Sequence, residues 1–453
     1  MKNTINSLTA GSSTLSWDKF TVSMISDIVN ESASFAERRL KAFSSFQRSS
    51  WPTTRHEEWR HTNPYEIGKN KFRLWNSLSD QAVPQFYKRN GHQGIIPEGV
   101  TFIQLVNGTV LNRQIKPPFL LRDAIIDELR NIGDRWDYDV RLPAESKTND
   151  QDALNLMFDS FFQAGVFISI PPDVTAKMPI YISSINNTPH GAMFYQNFFR
   201  LQRGCNITII LHLKCVSDVD QWLANKTKIL VEDNAKLDLL VLNETESSTY
   251  LTEEMSIEVG KDAEVNVVGI DLTNGWSVIK RSVILSGAGC IVKLHEAHLG
   301  NKDSHMDLRT NQYHCARVTR SDLLYKTAMF DRSHTVFQGL INVQPAGVHT
   351  NAYQMNRNLL LGNNASADTI PKLEILIDEV RCSHGATAGS LDKNIIFYLM
   401  SRGLTKKQSI MLLLDGFLKE VPSILSLPDV RGLAEEKLVA FIKNLQEKSE
   451  IND

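Results

Sequence analysis

From position 166 onward, for over two hundred residues, the apolar residues of this chain leave helical spacing and collect in β-branched runs, at 166–170, 207–213, 228–231, 237–242, 265–270 and 278–285. Short runs bounded by Gly, Asn and Asp predict buried strands. Several share one prelude, a turn, then a small residue, then alternation. Arg203-Gly-Cys-Asn-Ile-Thr-Ile resembles Asp233-Asn-Ala-Lys-Leu-Asp-Leu, and both resemble Lys261-Asp-Ala-Glu-Val-Asn-Val and Gly287-Ala-Gly-Cys-Ile-Val-Lys-Leu. The phrases start at 203, 233, 261 and 287, so they are 30, 28 and 26 residues apart. A repeat in that range, without intervening helices, predicts coils stacked into a β-helix. A jelly roll or sandwich is the alternative that an imperfect period leaves open.

Helical spacing returns at both ends. Phe20, Met24, Ile28, Phe35, Leu40 and Phe43 predict helix within 17–48, an amphipathic helix is expected near 121–131, and 155–162 reads as a short helix that Gly165 ends. Residues 100–106 read as a strand, joined through Asn107-Gly108 in a tight hairpin to Val110-Leu111. Near the C-terminus Thr405-Lys-Lys-Gln408 has capping-box spacing. Ile410, Leu413, Leu414, Phe417 and Leu418 then form a stripe that Pro422 closes, and Pro428 suits the first turn of a last helix carrying Leu433, Leu438, Phe441, Ile442 and Leu445. The expected organisation is mainly β with helical ends: a mixed N-terminal region 1–150, a β-helix core 151–385 and a helical domain 386–453.

Between core and helices lies the stretch with a chemical look, Asp368 to Gly403. Pro371 opens a run in which Leu373, Ile375 and Ile377 alternate with Glu374, Leu376 and Asp378. If the extension continues past Val380, Cys382 and His384 share one face. Gly385 and Gly389 are then read as breaking the strand, and Ser390 as capping a helix from Leu391. A thiolate and an imidazole side by side suit soft or borderline metals, but two ligands do not close a site. The competing reading is a buried cysteine and a histidine satisfying backbone groups.

Composition narrows the possibilities. The chain has 453 residues, 42% hydrophobic and 22% charged, with net charge −2, so no electrostatic argument points to nucleic acid or an anionic membrane. No apolar run approaches spanning length, and the polar opening 1–16, with Lys2 its only charge, reads as a frayed tail. Five cysteines without close pairs predict reduced thiols in a cytoplasm-like compartment. The histidines His295, His298, His305, His314 and His334, interleaved with Glu296, Asp303, Asp307 and Asp331, are expected on a solvated solenoid face, and in a strand the rings of His295 and His298 point oppositely. The sequence contains no P-loop, nucleophile elbow or dinucleotide fingerprint. A carbohydrate-active β-helix enzyme would need a carboxylate pair, and none is marked out.

The stretch nevertheless resembles a known signature. Pro371-Lys-Leu-Glu-Ile, Asp378-Glu-Val-Arg-Cys-Ser-His-Gly-Ala-Thr, Phe397-Tyr-Leu-Met-Ser-Arg-Gly, Phe337-Gln-Gly-Leu-Ile-Asn-Val and Asn356-Arg-Asn-Leu-Leu-Leu together resemble the SufB/SufD family, scaffold subunits of the SUF iron–sulfur cluster assembly machine. Glu57-Glu-Trp-Arg-His-Thr is similar to an N-terminal phrase of the SufD branch, with His61 where tyrosine is usual. The resemblance implies a right-handed parallel β-helix between helical ends and a non-enzymatic scaffold. It implies a SufB-like subunit paired through the β-helices and a SufC-like ABC ATPase docked on the C-terminal helices, with Phe397, Tyr398, Arg402, Leu413 and Phe417 as candidate contacts. It also implies a transient iron–sulfur cluster shared with the partner, with His384 and Cys382 as tentative ligands and no cofactor tightly bound in the isolated chain. An isolated chain is expected to be able to form a homodimer. A purely structural role, with all cluster chemistry on the SufB-like partner, is the nearest alternative.

Overall fold

A computed structural model describes residues 33–69, 72–75, 100–119, 124–132 and 153–448. The apolar runs at the centre are strands of a two-sheet β-solenoid. Eight successive strand pairs run from Val166–Ile170 with Ile180–Asn186 to Ser366–Ile375 with Arg381–Gly389. Each coil gives one strand to each sheet, so strands pair in parallel with the equivalent strand one coil away.

The repeated phrase is the corner of each coil. Asp173, Gly204, Asn234, Asp262, Gly289, Val318 and His349 all have left-handed backbones, with φ between 54° and 75°. Asn, Asp and Gly accept that conformation readily. The amide of each of the first six donates to the carbonyl just before the next, as from Gly204 to Asp233, Asn234 to Lys261 and Asp262 to Ala288. The small residue after each corner from Gly204 onward (Cys205, Ala235, Ala263, Cys290, Thr319, Thr350) is buried because only a short side chain fits behind the turn. Cys205 and Cys290 are therefore packing residues, and Cys215, at the end of the strand Asn206–Cys215, is buried in the same core. Burial pushes the Cys215 and Cys290 thiols up to about 12 and raises that of Cys205, which keeps them protonated and inert.

Both outer faces are covered, which explains why many strands are apolar on both sides. On the first sheet, Phe194, Phe198, Trp222 and Trp276 pack under helix α1 (Ala33–Phe46) and a segment carrying Trp51, Trp59 and Phe72. A short helix α2 (Tyr65–Lys69) adds Ile67, and helix α3 (Ala153–Phe161) adds Met157, Phe158 and Phe161. After the solenoid come helices α4 (Lys393–Ser401), α5 (Lys406–Leu418) and α6 (Pro428–Lys448). From α5 and α6, Met411, Leu414, Leu418, Ala434, Leu438 and Ile442 seal Leu240, Leu242, Val268, Ile270 and Leu299 of the second sheet. Polar clamps fix them there. Lys326 Nζ donates to the Phe417 carbonyl at 2.6 Å and to Glu420 at 2.5 Å, and Lys437 Nζ lies 2.5 Å from Glu244 Oε1.

The hairpin at Asn107-Gly108, the capping box of Thr405 with Gln408 and the start of α6 at Pro428 appear as the sequence predicts. Other expectations are corrected. Of 121–131, Ile125–Glu128 is a strand pairing antiparallel with Val166–Ile170, followed by a single 3-10 turn. Pro371 does not open its strand but lies inside Ser366–Ile375, and the run is not one strand. It stops at Ile375, turns through Asp378-Glu379 and resumes at Arg381, and Gly385 lies inside the new strand. The helix cap is Asp392, whose Oδ1 accepts from the Asn394 amide at 2.8 Å, not Ser390. In α5 the fully buried apolar positions are Met411, Leu414 and Leu418, with Ile410, Leu413 and Phe417 half-buried beside them. Leu40 faces out of α1, while Phe43 and Phe46 face in. Positions 17–32, part of the expected first helix, lie outside the described residues.

Candidate functional site

The two ends of the solenoid differ. At the N-terminal end the hairpin Thr101–Val106/Thr109–Gln114 and the strand Ile125–Glu128 are added to the two sheets. At the other end Ser366–Ile375 and Arg381–Gly389 each have a partner strand on one side only. Their free edges present unpaired N–H and C=O groups, the groups that recruit another strand. The interior columns also run out here. Ile341 and Val343 are fully buried, yet their register partners Leu373 and Ile375 are 36% and 41% exposed, and Leu376 is 53% exposed. The apolar core is left uncapped at its end.

Cys382 and His384 sit on this terminal strand. Alternation gives them one face, and register aligns them with buried Ala352 and Gln354, so both continue interior columns into the open end. Cys382 is half-buried and packs with Ile341, Val343, Ala352, Ile377 and Val380. Burial raises its thiol, and the Ala352 amide pulls the other way, leaving it less ionised than a free cysteine. His384 is exposed. A thiol and an imidazole stand at this free edge, and among the described residues no third metal-ligating side chain of this chain gathers with them.

Helix α4 follows this strand after three intervening residues and buries none of its own residues. Phe397 is 73% and Tyr398 55% exposed, joined by Ile395 and Met400. The Arg402 guanidinium, at the helix end, lies 5.2 Å from the Tyr398 ring centre. Leu413 and Phe417 are half-buried on α5, and Phe417 lies under Lys326, with Nζ 4.7 Å from its ring.

The histidines are not one solvated face. His295 and His298 do point oppositely, but His295 is covered on the outer side near Asp322, while His298 is wholly buried. His305 and His334 lie under the segment Glu57 to Thr62. There Thr62 bonds His305 at 3.0 Å, His61 and His334 flank Asp368 at 3.2 and 3.1 Å, Lys372 pairs with Glu57, and Arg309 covers Trp59. Burial foremost, with the His334 and Arg309 charges and against Asp307, lowers His305 to about 4. His314 is buried, its nitrogens 2.7 Å from Thr319 Oγ1 and 2.9 Å from Ser321 Oγ. Burial lowers it to about 3.

His314 gives a pH prediction. The unfolded ring takes a proton near pH 6.5 and the folded ring refuses it, so stability is fullest above 6.5 and is lost as pH falls towards 3. Urea unfolding between pH 7 and 4.5 should show His314→Gln losing less stability on acidification than the parent, by up to about 1.4 kcal/mol per pH unit. Parallel curves would mean that His314 binds its proton in the folded protein.

A charged group inside the solenoid, formed by Glu253, Asp271, Arg281, Glu296 and His298, is not marked by spacing along the sequence. The signal was parity: in Val292, Leu294, Glu296, His298 the polar residues continue the inward-facing positions, as Asp271 does after Val265 and Val267.

Comparison with known proteins places these features. The family model for the SUF-system FeS cluster assembly SufBD core domain matches residues 183–417. Over 241 residues the chain is 30% identical to the iron–sulfur cluster assembly protein SufD of Escherichia coli, covering 53% of this chain and 56% of that one, so the match spans little more than half of that relative. A SufBD family protein of Mycobacterium leprae is 28% identical over 63% of this chain and 73% of its own. One from Porphyra purpurea is 23% identical over 88% and 86%.

Proposed function

The chain belongs to the SufBD core family of the SUF iron–sulfur cluster assembly system, and we propose on that premise that it is a scaffold subunit, without turnover of its own, whose terminal coil pairs with a SufB-like partner to assemble a cluster. The observation that carries this reading is the open coil. A second solenoid edge would satisfy its backbone groups and cover Leu373, Ile375 and Leu376. Partner thiolates would complete the ligand set that Cys382 and His384 begin, with iron and sulfide as the cargo. In the isolated chain a second copy would occupy the same edge.

Helix α4 is the proposed handle for a SufC-like ABC ATPase, through Phe397, Tyr398 and Arg402, with Leu413 and Phe417 on the neighbouring helix. Because α5 and α6 are clamped to the solenoid, movement of α4 is passed across three intervening residues to the strand before it. ATP-driven closure of two ATPase subunits would shift that strand and align Cys382 and His384 with the partner.

The test is the native mass of the tagged full chain co-expressed with candidate SufB-like and SufC-like proteins. One copy of each solenoid with two ATPases is expected. A lone monomer or homodimer without ATPase would overturn the reading. Phe397→Ala combined with Tyr398→Ala should retain the solenoid pair and lose the ATPase, an effect of about 2 kcal/mol or more. Both side chains are exposed, so the isolated variant should unfold within about 0.5 kcal/mol of the parent. An ATPase that still co-purifies would remove α4 from the interface.

A further inference from the structure

The charged group inside the solenoid has the construction of a ligand site. Six side chains, each no more than 2% exposed, follow one another in a closed circuit: Arg281, Glu253, Asn243, Asp271, His298 and Glu296. Arg281 Nε donates to Glu296 Oε1 at 2.9 Å, and its Nη1 is 2.8 Å from Glu253 Oε1. Asn243 Nδ2 donates to Glu253 Oε2 at 2.7 Å and to Asp271 Oδ1 at 2.5 Å. One oxygen of Asp271 and one of Glu296 are thus anchored. The others, Asp271 Oδ2 and Glu296 Oε2, face His298 at 2.8 Å from Nδ1 and 3.4 Å from Nε2. The first is an ion-pair distance, and all four atoms are buried with no fully formed hydrogen bond, as are the Tyr325 hydroxyl and both Nη atoms of Arg281 in the same cluster.

Carboxylates fixed through one oxygen and unspent at the other, beside an imidazole, are arranged as metal ligands with their supporting bonds in place. One ligand atom from each of Asp271, Glu296 and His298 falls within 4.8 Å of the others, the one such group among the described residues. Charge points the same way. Three buried carboxylates, Glu253, Asp271 and Glu296, share one guanidinium, which contacts only Glu253 and Glu296, so acidic groups outnumber it in a dry interior where uncompensated charge costs several kcal/mol per ion. Gly269 keeps the space open, since a Cβ there would lie 2.6 Å from Cδ of Glu296.

We propose that this ring is a resident site for one divalent first-row transition ion, held by Asp271, Glu296 and one nitrogen of His298, with Arg281 and Asn243 orienting the carboxylates. Two oxygens and one imidazole nitrogen suit zinc, manganese or ferrous iron. The ion offsets the negative charge of the two carboxylates that hold it. The side chains close by roughly an ångström around it, since ligands at 2.0–2.2 Å from a metal lie about 3–3.5 Å apart. The site is separate from the terminal coil: the strand of His298 is three coil steps from that of His384, about 14 Å at the usual strand spacing.

The experiment uses the full chain with Cys382→Ser and His384→Ala, which removes the terminal ligands, grown with added zinc and passed over a chelating resin. About one equivalent of zinc is expected to remain, because the site is closed once the solenoid has formed. Adding His298→Gln or Asp271→Asn should lower retention at least about tenfold. Parent protein without bound zinc, or zinc that both substitutions leave in place, would overturn the site. If the substituted chains do not fold, X-ray absorption of the zinc-loaded parent decides. Oxygen and nitrogen coordination with a single imidazole supports the site, while sulfur or several imidazoles would overturn it.

Discussion

Replacing His384 by alanine is expected to leave the assembled complex intact while lowering the cluster it carries at least about tenfold, the scale on which losing a supporting group weakens a metal site. The strand of His384 is anchored through backbone pairing with Asn351–Leu360, and the exposed ring adds little to the fold. Its loss should move stability by no more than about 0.5 kcal/mol. What it removes is an imidazole at the end of the column through Gln354, where the free edge leaves room for a partner's ligands. Cys382 should behave differently. Its thiol packs against Ile341, Val343 and Ala352 and is raised by burial, so Cys382→Ser changes both packing and ligand. Iron and sulfide content of the co-purified complex, with its visible absorption, reads the effect. Undiminished content with His384→Ala would remove the ring from assembly and favour a purely structural subunit, and loss of the complex itself would show that the ring holds the interface.

The solenoid was legible because its corners impose a local requirement on sequence. A left-handed residue followed by a side chain small enough to fit behind the turn recurs at each corner from Gly204 to His349, so Gly204-Cys205, Asn234-Ala235 and Asp262-Ala263 look alike even where the strands do not. Cys382 and His384 were legible through alternation. The turn before them was not, because Leu376-Ile377 continues an apolar run although the chain has left the sheet. The helix expected near 121–131 failed for a tertiary reason: Ile125 and Ile126 pair with Val166–Ile170, more than thirty residues away, and that pairing outweighs a weak local periodicity. Composition misled on the histidines. Polar residues in a strand-rich region were assigned to solvent, whereas His298 and His314 share the parity of the apolar core and lie inside it. Parity within a strand is the better guide there, since it follows from backbone geometry while polarity reflects only the commonest environment.

That interior charge supplies the largest expected loss of stability. Arg281→Met should destabilise the chain by about 3–5 kcal/mol, because the substitution conserves most of the volume but removes the one guanidinium facing two buried carboxylates. Glu253 and Glu296 are 2% and 0% exposed and each makes an Arg281 contact below 3 Å, so neither can recover its solvation without opening the solenoid. The arginine itself stays charged, since Glu253 and Glu296 outweigh burial and raise its pKa. Burial, only partly offset by Arg281, already raises Glu253, so removing Arg281 should drive that carboxyl further towards its neutral form. Urea unfolding at pH 7, on protein prepared metal-free and with chelator present, of the parent, Arg281→Met, and Arg281→Met combined with Glu253→Gln and Glu296→Gln would measure the effect. The triple substitution should recover a large part of the loss, because it removes the two charges left unpaired. A single-variant loss below about 1 kcal/mol would mean that the carboxylates are neutralised without Arg281. No recovery in the triple variant would mean that shape, and not charge, holds the interior together at this level of the solenoid.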